Sequence, residues 1–245
     1  MPPLSQYHFE ILPHDEASVQ QWGPKYIEFR LNALKTAPDS FGSSYEKEAS
    51  MSDAEWKSTL CEPAFRVIIA VPRADDGALQ TPIWENEWAL ISSLYGPRCH
   101  HEPYHDNEDD CNESSWFLGT SFVSPHHRQR GMILEAFATA ERAAVSEDRQ
   151  TFQKRHQAQQ LRRPSSGHRP YHFRTRMLGL SATTNPTVLN YYRKTGLEVS
   201  HTIRRGDIPR LWRWKISVSP DKVEGLTTIL VKNIPWDGEG NLARL

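Results

Sequence analysis

Between residues 116 and 145 the chain changes its period within one unbroken segment. Trp116-Phe-Leu-Gly-Thr-Ser-Phe-Val123 is rich in aromatic and apolar residues and reads as a strand. Ser124-Pro125-His126-His127-Arg128-Gln129-Arg130 follows as a basic turn. Gly131 to Val145 is rich in Ala, Leu, Glu and Arg and reads as a helix. A strand passing through a short turn into a helix is a βα unit, which needs a sheet with the helix laid on it. It is also a ready anion site. The first helical turn has free N–H groups and the positive end of the helix dipole, Arg128 and Arg130 add charge, and Gly131 lets backbone approach a ligand closely. By itself the segment reads equally well as an ordinary βα turn with solvated arginines.

The rest of the chain supplies partners for this unit. Tyr7 to Leu12 reads as a strand. Asp15 is an N-cap, after which Val19, Trp22, Tyr26, Phe29 and Ala33 recur at helical spacing up to Pro38. Ser52-Asp-Ala-Glu55 is a capping box for a helix through Leu60. Arg66–Val71, Trp88–Tyr95 and Met177–Ala182 read as strands, and Pro186 opens a helix through Lys194 with Gly196 just past its end. Glu198–Arg205 and Leu226–Lys232 close the list of strands. The expected fold is α/β (α+β): a mixed, mainly antiparallel sheet of six to seven strands with helices on both faces, in a single domain over 1–245.

Two stretches stand apart. Residues 102–113 hold six acids and no Lys or Arg, whereas 149–176 hold eight Lys or Arg and no acid. Without those eight positive charges the chain, net −1 as a whole, would stand at −9. They read as polar insertions at about 97–114 and 146–174, the second flexible and the two suited to pair with each other. With few aromatics to stack on bases, the basic segment gives no expectation of nucleic acid as a partner. No apolar run approaches the length of a membrane span, and the N-terminus lacks the features of a signal peptide, so no membrane partner is expected. Cys61, Cys99 and Cys111 make no disulfide framework; a reducing compartment, cytoplasmic or nuclear, is expected. Cys99, His100, His101, His105 and Cys111 have the residue types of a zinc site but no defensible spacing, so no metal is expected.

A second segment also carries chemistry. After the strand at Leu180, Asn185 stands at a helix N-terminus, with Tyr192 two turns later and Gly196 beyond. Tyr192 has the place of a proton donor at the mouth of a cleft. It also reads as a core aromatic beside Tyr191, the commoner fate of such a residue.

Together the segments resemble the GNAT acetyltransferase superfamily. The family's cofactor motif, Arg/Gln-x-x-Gly-x-Gly/Ala after a strand ending Val-x-Pro, is met by Arg128-Gln129-Arg130-Gly131-Met132-Ile133 after Val123-Ser124-Pro125. Its later motif is met by Asn185, Tyr192 and Gly196, and Phe29 to Glu48 looks like the first helix and following loop of many members. The resemblance implies acetyl-CoA as co-substrate, with the Phe122–Val123 strand on the pantetheine arm and the Arg128–Ile133 amides on the pyrophosphate. It places Asn185 at the pantetheine or the strand opening. It makes Tyr192 the donor that protonates the departing thiolate after direct attack by a primary amine. An N–H of the same splayed strand would meet the developing oxyanion. Two departures follow: Ile133 stands where the family has Gly or Ala, and the 116–123 strand has no acid to serve as base. Glu113, Glu87 or a water chain would have to replace it. Ile133 either displaces the turn or points into the core. The implied activity is amine N-acetylation by a monomer or homodimer. The alternatives are a catalytically weak GNAT-like protein binding CoA or a partner, and a nucleic-acid-associated protein using 149–176.

Overall fold

A computed structural model describes residues 4–73, 79, 81–98, 113–162, 173–183, 185–208, 218 and 220–236. Strand β1 (Tyr7–Ile11) leads to helix α1 (Glu16–Thr36), and the Asp15 carboxylate accepts from the Ser18 amide at 3.0 Å, the expected cap. A short α2 (Tyr45–Ala49), too short to show periodicity in the sequence, precedes α3 (Asp53–Leu60). The capping box forms: the Ser52 amide donates to Glu55 Oε2 at 2.7 Å and the Glu55 amide to Ser52 Oγ at 3.3 Å. Strands β2 (Phe65–Pro72), β3 (Leu90–Arg98) and β4 (Glu113–Val123) follow, then α4 (Met132–Arg162), β5 (Phe173–Ala182), α5 (Pro186–Lys194), β6 (Glu198–Arg204) and β7 (Leu226–Trp236).

The strands make one sheet in the order β1-β2-β3-β4-β5-β7-β6. Every neighbouring pair is antiparallel except β4 and β5. A parallel pair needs a long crossover, which α4 supplies. Side chains of β2 alternate across the sheet. Phe65, Val67, Ile69 and Val71 pack with Trp22 and Tyr26 of α1 and Trp56 and Leu60 of α3, whereas Ile68 packs with Phe137 and Ala140 of α4. Helices thus cover both faces, as the hydrophobic pattern requires.

The structure corrects the basic insertion. Helix α4 continues through to Arg162, where a flexible segment was expected from residue 146. Gln, Lys, Arg and Ala are strong helix formers, and a buried stripe runs Ala136, Ala140, Ala144, Asp148, Phe152 at four-residue spacing. The polar Asp148 interrupts that stripe in the sequence. Phe152 closes the helix onto Phe173 and Trp236, with ring centroids 6.0 Å from Phe152 to Phe173 and 6.4 Å from Phe173 to Trp236. At the other end of the segment Arg174 and Arg176 lie on β5 and pair with Glu113 on β4. Residues 163–172, most of the acidic stretch and the candidate zinc residues lie outside the described residues.

Asp148 is buried at 1% exposure, and its Oδ2 accepts from Ser114 Oγ, from Trp116 Nε1 at 3.0 Å and from Thr175 Oγ1 at 2.6 Å. Burial pushes its carboxyl up to about 6, against the opposing pull of those donors. Between about pH 4 and 6 the folded chain therefore keeps a proton that the unfolded chain has released. Stability should fall as pH rises through that window, by about 3 kcal/mol at most for a shift of this size. Asp148→Asn should abolish this part of the slope in urea-unfolding midpoints measured from pH 4 to 7. An unchanged slope would assign it to other groups.

Candidate functional site

The parallel strands β4 and β5 pair from Glu113↔Arg174 to Leu118↔Gly179 and no further. Beyond that point both strands continue, to Val123 and Ala182, without pairing each other. The sheet is split there. On its other side β4 carries a bulge against β3: Ile91 faces Phe122 and Ser93 faces Gly119, so three steps on β4 match two on β3. Thr120 takes a positive φ of 22° at this place. The bulge reverses the alternation of β4. Trp116 and Leu118 pack on the α4 face, but Phe122, an even number of residues on, packs on the α1 face against Phe29 and Phe41 at 5.9 and 6.3 Å.

A cleft of about 610 Å³ opens at the split. Phe122, Val123, Arg128, Gln129, Arg130, Gly131, Met132, Ile133, Asn185 and Tyr192, the whole set read from the sequence, line it together. Two positive φ values, 63° at Gln129 and 74° at Gly131, fold the turn before α4 begins at Met132. The amides of Met132 and Ile133 belong to the first helical turn, which has no intrahelical acceptor for them. The arginines fold back on the protein. Arg128 Nε donates to the Val123 carbonyl at 3.2 Å and its guanidinium lies over Phe122 at 5.4 Å. Arg130 donates to the Tyr7 hydroxyl and to the His126 carbonyl at 3.2 Å. Tyr7 in turn bonds His127 Nδ1 at 2.8 Å, so β1 braces the turn. Ile133 is half-buried: it packs against the cluster of Tyr7, Leu90 and Met132 and also borders the cleft. The core half of the two readings of Ile133 is thus met in part.

Asn185 caps α5, its Oδ1 accepting from the Val188 amide at 3.1 Å. Tyr192 is buried at 8% exposure in the cluster of Trp116, Met177 and Leu197, and burial pushes its phenol up to about 12. Of the carboxylates considered as base, Glu113 sits at the far end of β4, paired with Arg174 and Arg176. Glu87 is mostly exposed, 3.6 Å from His127 Nε2. Neither is among the residues that line the cleft.

The cleft also has a wall that the sequence reading missed. Tyr26 and Arg30 of α1, Phe41, Ser43, Glu48 of α2 and Tyr95 of β3 border it. Arg30 was the legible signal: it stands in the buried stripe Val19, Trp22, Tyr26, Arg30, Ala33, where a cation is out of place. Arg30 and Glu48 form a buried pair, Nε to Oε2 at 2.7 Å and Nη2 to Oε1 at 2.6 Å. Burial pushes the Tyr26 phenol up to about 12, with the Arg30 charge opposing, and raises Tyr95 as well.

No known family model matches the chain, and no curated protein matches it either. Solved structures do. NAA60 from Arabidopsis thaliana in complex with acetyl-CoA superposes with a TM-score of 0.51 at 10% identity, covering 93% of this chain and 98% of that one. The same protein with a bisubstrate analogue gives 0.50 at 11% identity, over 93% and 99% of the chains. A proposed acetyltransferase from Acinetobacter baylyi ADP1 gives 0.50 at 13% identity, over 93% and 94%. The chain has the GNAT acetyltransferase fold. Among the described residues no helix is long and apolar enough to cross a membrane.

Proposed function

We propose that the protein is an N-acetyltransferase that moves an acetyl group from acetyl-CoA to a primary amine. The observation that carries this reading is the split between β4 and β5, which opens onto an amide-rich turn at the start of α4. The residues present fit the co-substrate. The turn offers N–H groups of the first helical turn with two arginines beside them, suited to a pyrophosphate. The unpaired edge of β4 at Val123 is suited to the amides of a pantetheine arm.

Acetyl-CoA supplies an activated acyl group that a neutral amine attacks without a covalent enzyme intermediate. The chain's residues bind, orient and move protons. The Phe122–Val123 edge would align the arm, and the Gly131–Ile133 amides would hold the phosphates. The β4 bulge at Thr120 takes backbone out of the ladder on one side while the split removes its partner on the other, which frees N–H groups to face a developing oxyanion. Tyr192, with its phenol pushed up to about 12, keeps its proton at neutral pH until a thiolate departs beside it. A free thiol has a pKa of about 8.5, but a thiolate in the same buried setting is raised too, which narrows the gap. Two carboxylates line the cleft: both Glu48 oxygens are held by Arg30, whereas Asp39 is exposed to solvent. Deprotonation of the amine then falls to Asp39 or to water.

Acetyl-CoA at a hundredfold excess over its Kd should stabilise the fold by about 2.7 kcal/mol. For a chain of this size that is a rise of roughly 5–10 °C in Tm. The same samples should release thiol when primary amines are added. No shift at millimolar acetyl-CoA would overturn the reading. A shift without thiol release from any amine would favour the catalytically weak CoA binder.

A further inference from the structure

On its α1 side the cleft runs into a chamber walled by aromatic side chains: Tyr26, Phe41, Trp56, Phe65, Tyr95 and Phe117. Two polar side chains border this apolar space with hydrogen-bonding capacity to spare. Arg30 is 6% exposed and Ser43 4% exposed, and both line the cleft. Arg30 spends Nε and Nη2 on Glu48, but Nη1 is buried and has no hydrogen-bond partner among the described residues. Ser43 Oγ is likewise buried and unpartnered. Leaving such groups unpaired costs free energy, and burying the ion pair costs more. An apolar residue at position 30 would fit the α1 stripe without either cost. The arrangement makes sense if a ligand oxygen completes it.

We propose that Arg30 Nη1 and Ser43 Oγ receive a carbonyl-type oxygen of the acceptor, so that the acceptor is a primary amine with an apolar body and such an oxygen, as in an amino acid or its amide. This rests on the acetyl-transfer reading above. The aromatic walls take the apolar body. A guanidinium has donors only, so it selects an acceptor atom. Polyamines fit poorly: they bring further cations and no acceptor atom. Of the two carboxylates that line the cleft, Asp39 is exposed to solvent, and Glu48, the buried one, already has both oxygens bonded to Arg30. A further ammonium placed beside Arg30 would meet a guanidinium whose buried carboxylate partner is already engaged.

The test is a panel of four amines with acetyl-CoA: phenylalanine amide, phenylalanine, phenethylamine and spermidine. Phenylalanine amide or phenylalanine should exceed phenethylamine by about tenfold or more in kcat/KM, the worth of one hydrogen bond to a charged group. Spermidine should be the poorest. The ranking of the amide and the acid tells whether the oxygen is carbonyl or carboxylate. Ser43→Ala, and Arg30→Lys, which keeps the charge facing Glu48, should each cut the ratio of the better oxygen-bearing amine to phenethylamine by about tenfold. A purely structural role would lower both amines equally and leave the ratio alone. The proposal is overturned if phenethylamine or spermidine equals the oxygen-bearing amines, if the ratio does not move in Ser43→Ala, or if acetyl-CoA binds but none of the four amines is acetylated. Absence of any acetyl-CoA shift in Tm is a different outcome and removes the acetyl-transfer reading itself.

Discussion

Tyr192→Phe should lower turnover by about 10²-fold, equivalent to about 2.7 kcal/mol of lost transition-state stabilisation. Tm and acetyl-CoA affinity should stay nearly unchanged. The ring fills a buried place beside Gly179, where an added Cβ would lie 3.0 Å from Tyr192 Cε1, and phenylalanine keeps that ring. What the change removes is the hydroxyl alone. The phenol contributes only if a thiolate needs its proton, so the loss belongs in kcat rather than in stability. Thiol release at saturating amine, together with a melting curve, separates the cases. Unchanged turnover would make Tyr192 a core aromatic and leave protonation to solvent.

Gly96→Ala should cost about 2–6 kcal/mol of stability. Gly96 takes a φ of 148° on β3, and a Cβ there would lie 2.6 Å from Trp116 Cε3 and 2.9 Å from the Ser115 carbonyl. Trp116 is fully buried, and its Nε1 is held by Ser114 Oγ at 3.1 Å and Asp148 Oδ2 at 3.0 Å, so the ring cannot swing aside cheaply. Overpacking typically costs about 1–3 kcal/mol, and backbone strain at positive φ about 1–3 more. Domains are stable by about 5–15 kcal/mol, so the variant stands to lose much of its margin. Urea-unfolding midpoints measure it. A loss below about 1 kcal/mol would mean that the strand yields where it now looks fixed.

Much of the site was legible because local chemistry announces it. Caps at Asp15, Ser52 and Asn185 set helix starts, and the strand–turn–helix at Val123–Met132 announced the turn that borders the cleft. Features that depend on distant partners were not legible. Asp148 is tolerated in the α4 stripe only because Ser114, Trp116 and Thr175 arrive from two strands to meet it. The reach of α4 past Val145 was hidden for the same reason. Glu48 gains its meaning from Arg30, eighteen positions earlier in the chain. The split between β4 and β5 cannot be read from either strand alone, since it is a place where pairing stops.

The bulge in β4 makes the lining of the cleft a question of parity. Upstream of Thr120, even-numbered side chains look toward α4; downstream, Phe122 looks toward α1. Deleting a single residue at the bulge would turn Ser121, Phe122 and Val123 over at once. Phe122 would leave its rings at Phe29 and Phe41, and Arg128 would lose the aromatic face on which it rests. No substitution at one position exchanges so much of the wall. A change in residue count at Thr120 would re-line the cleft, so length here can alter its wall more sharply than residue identity.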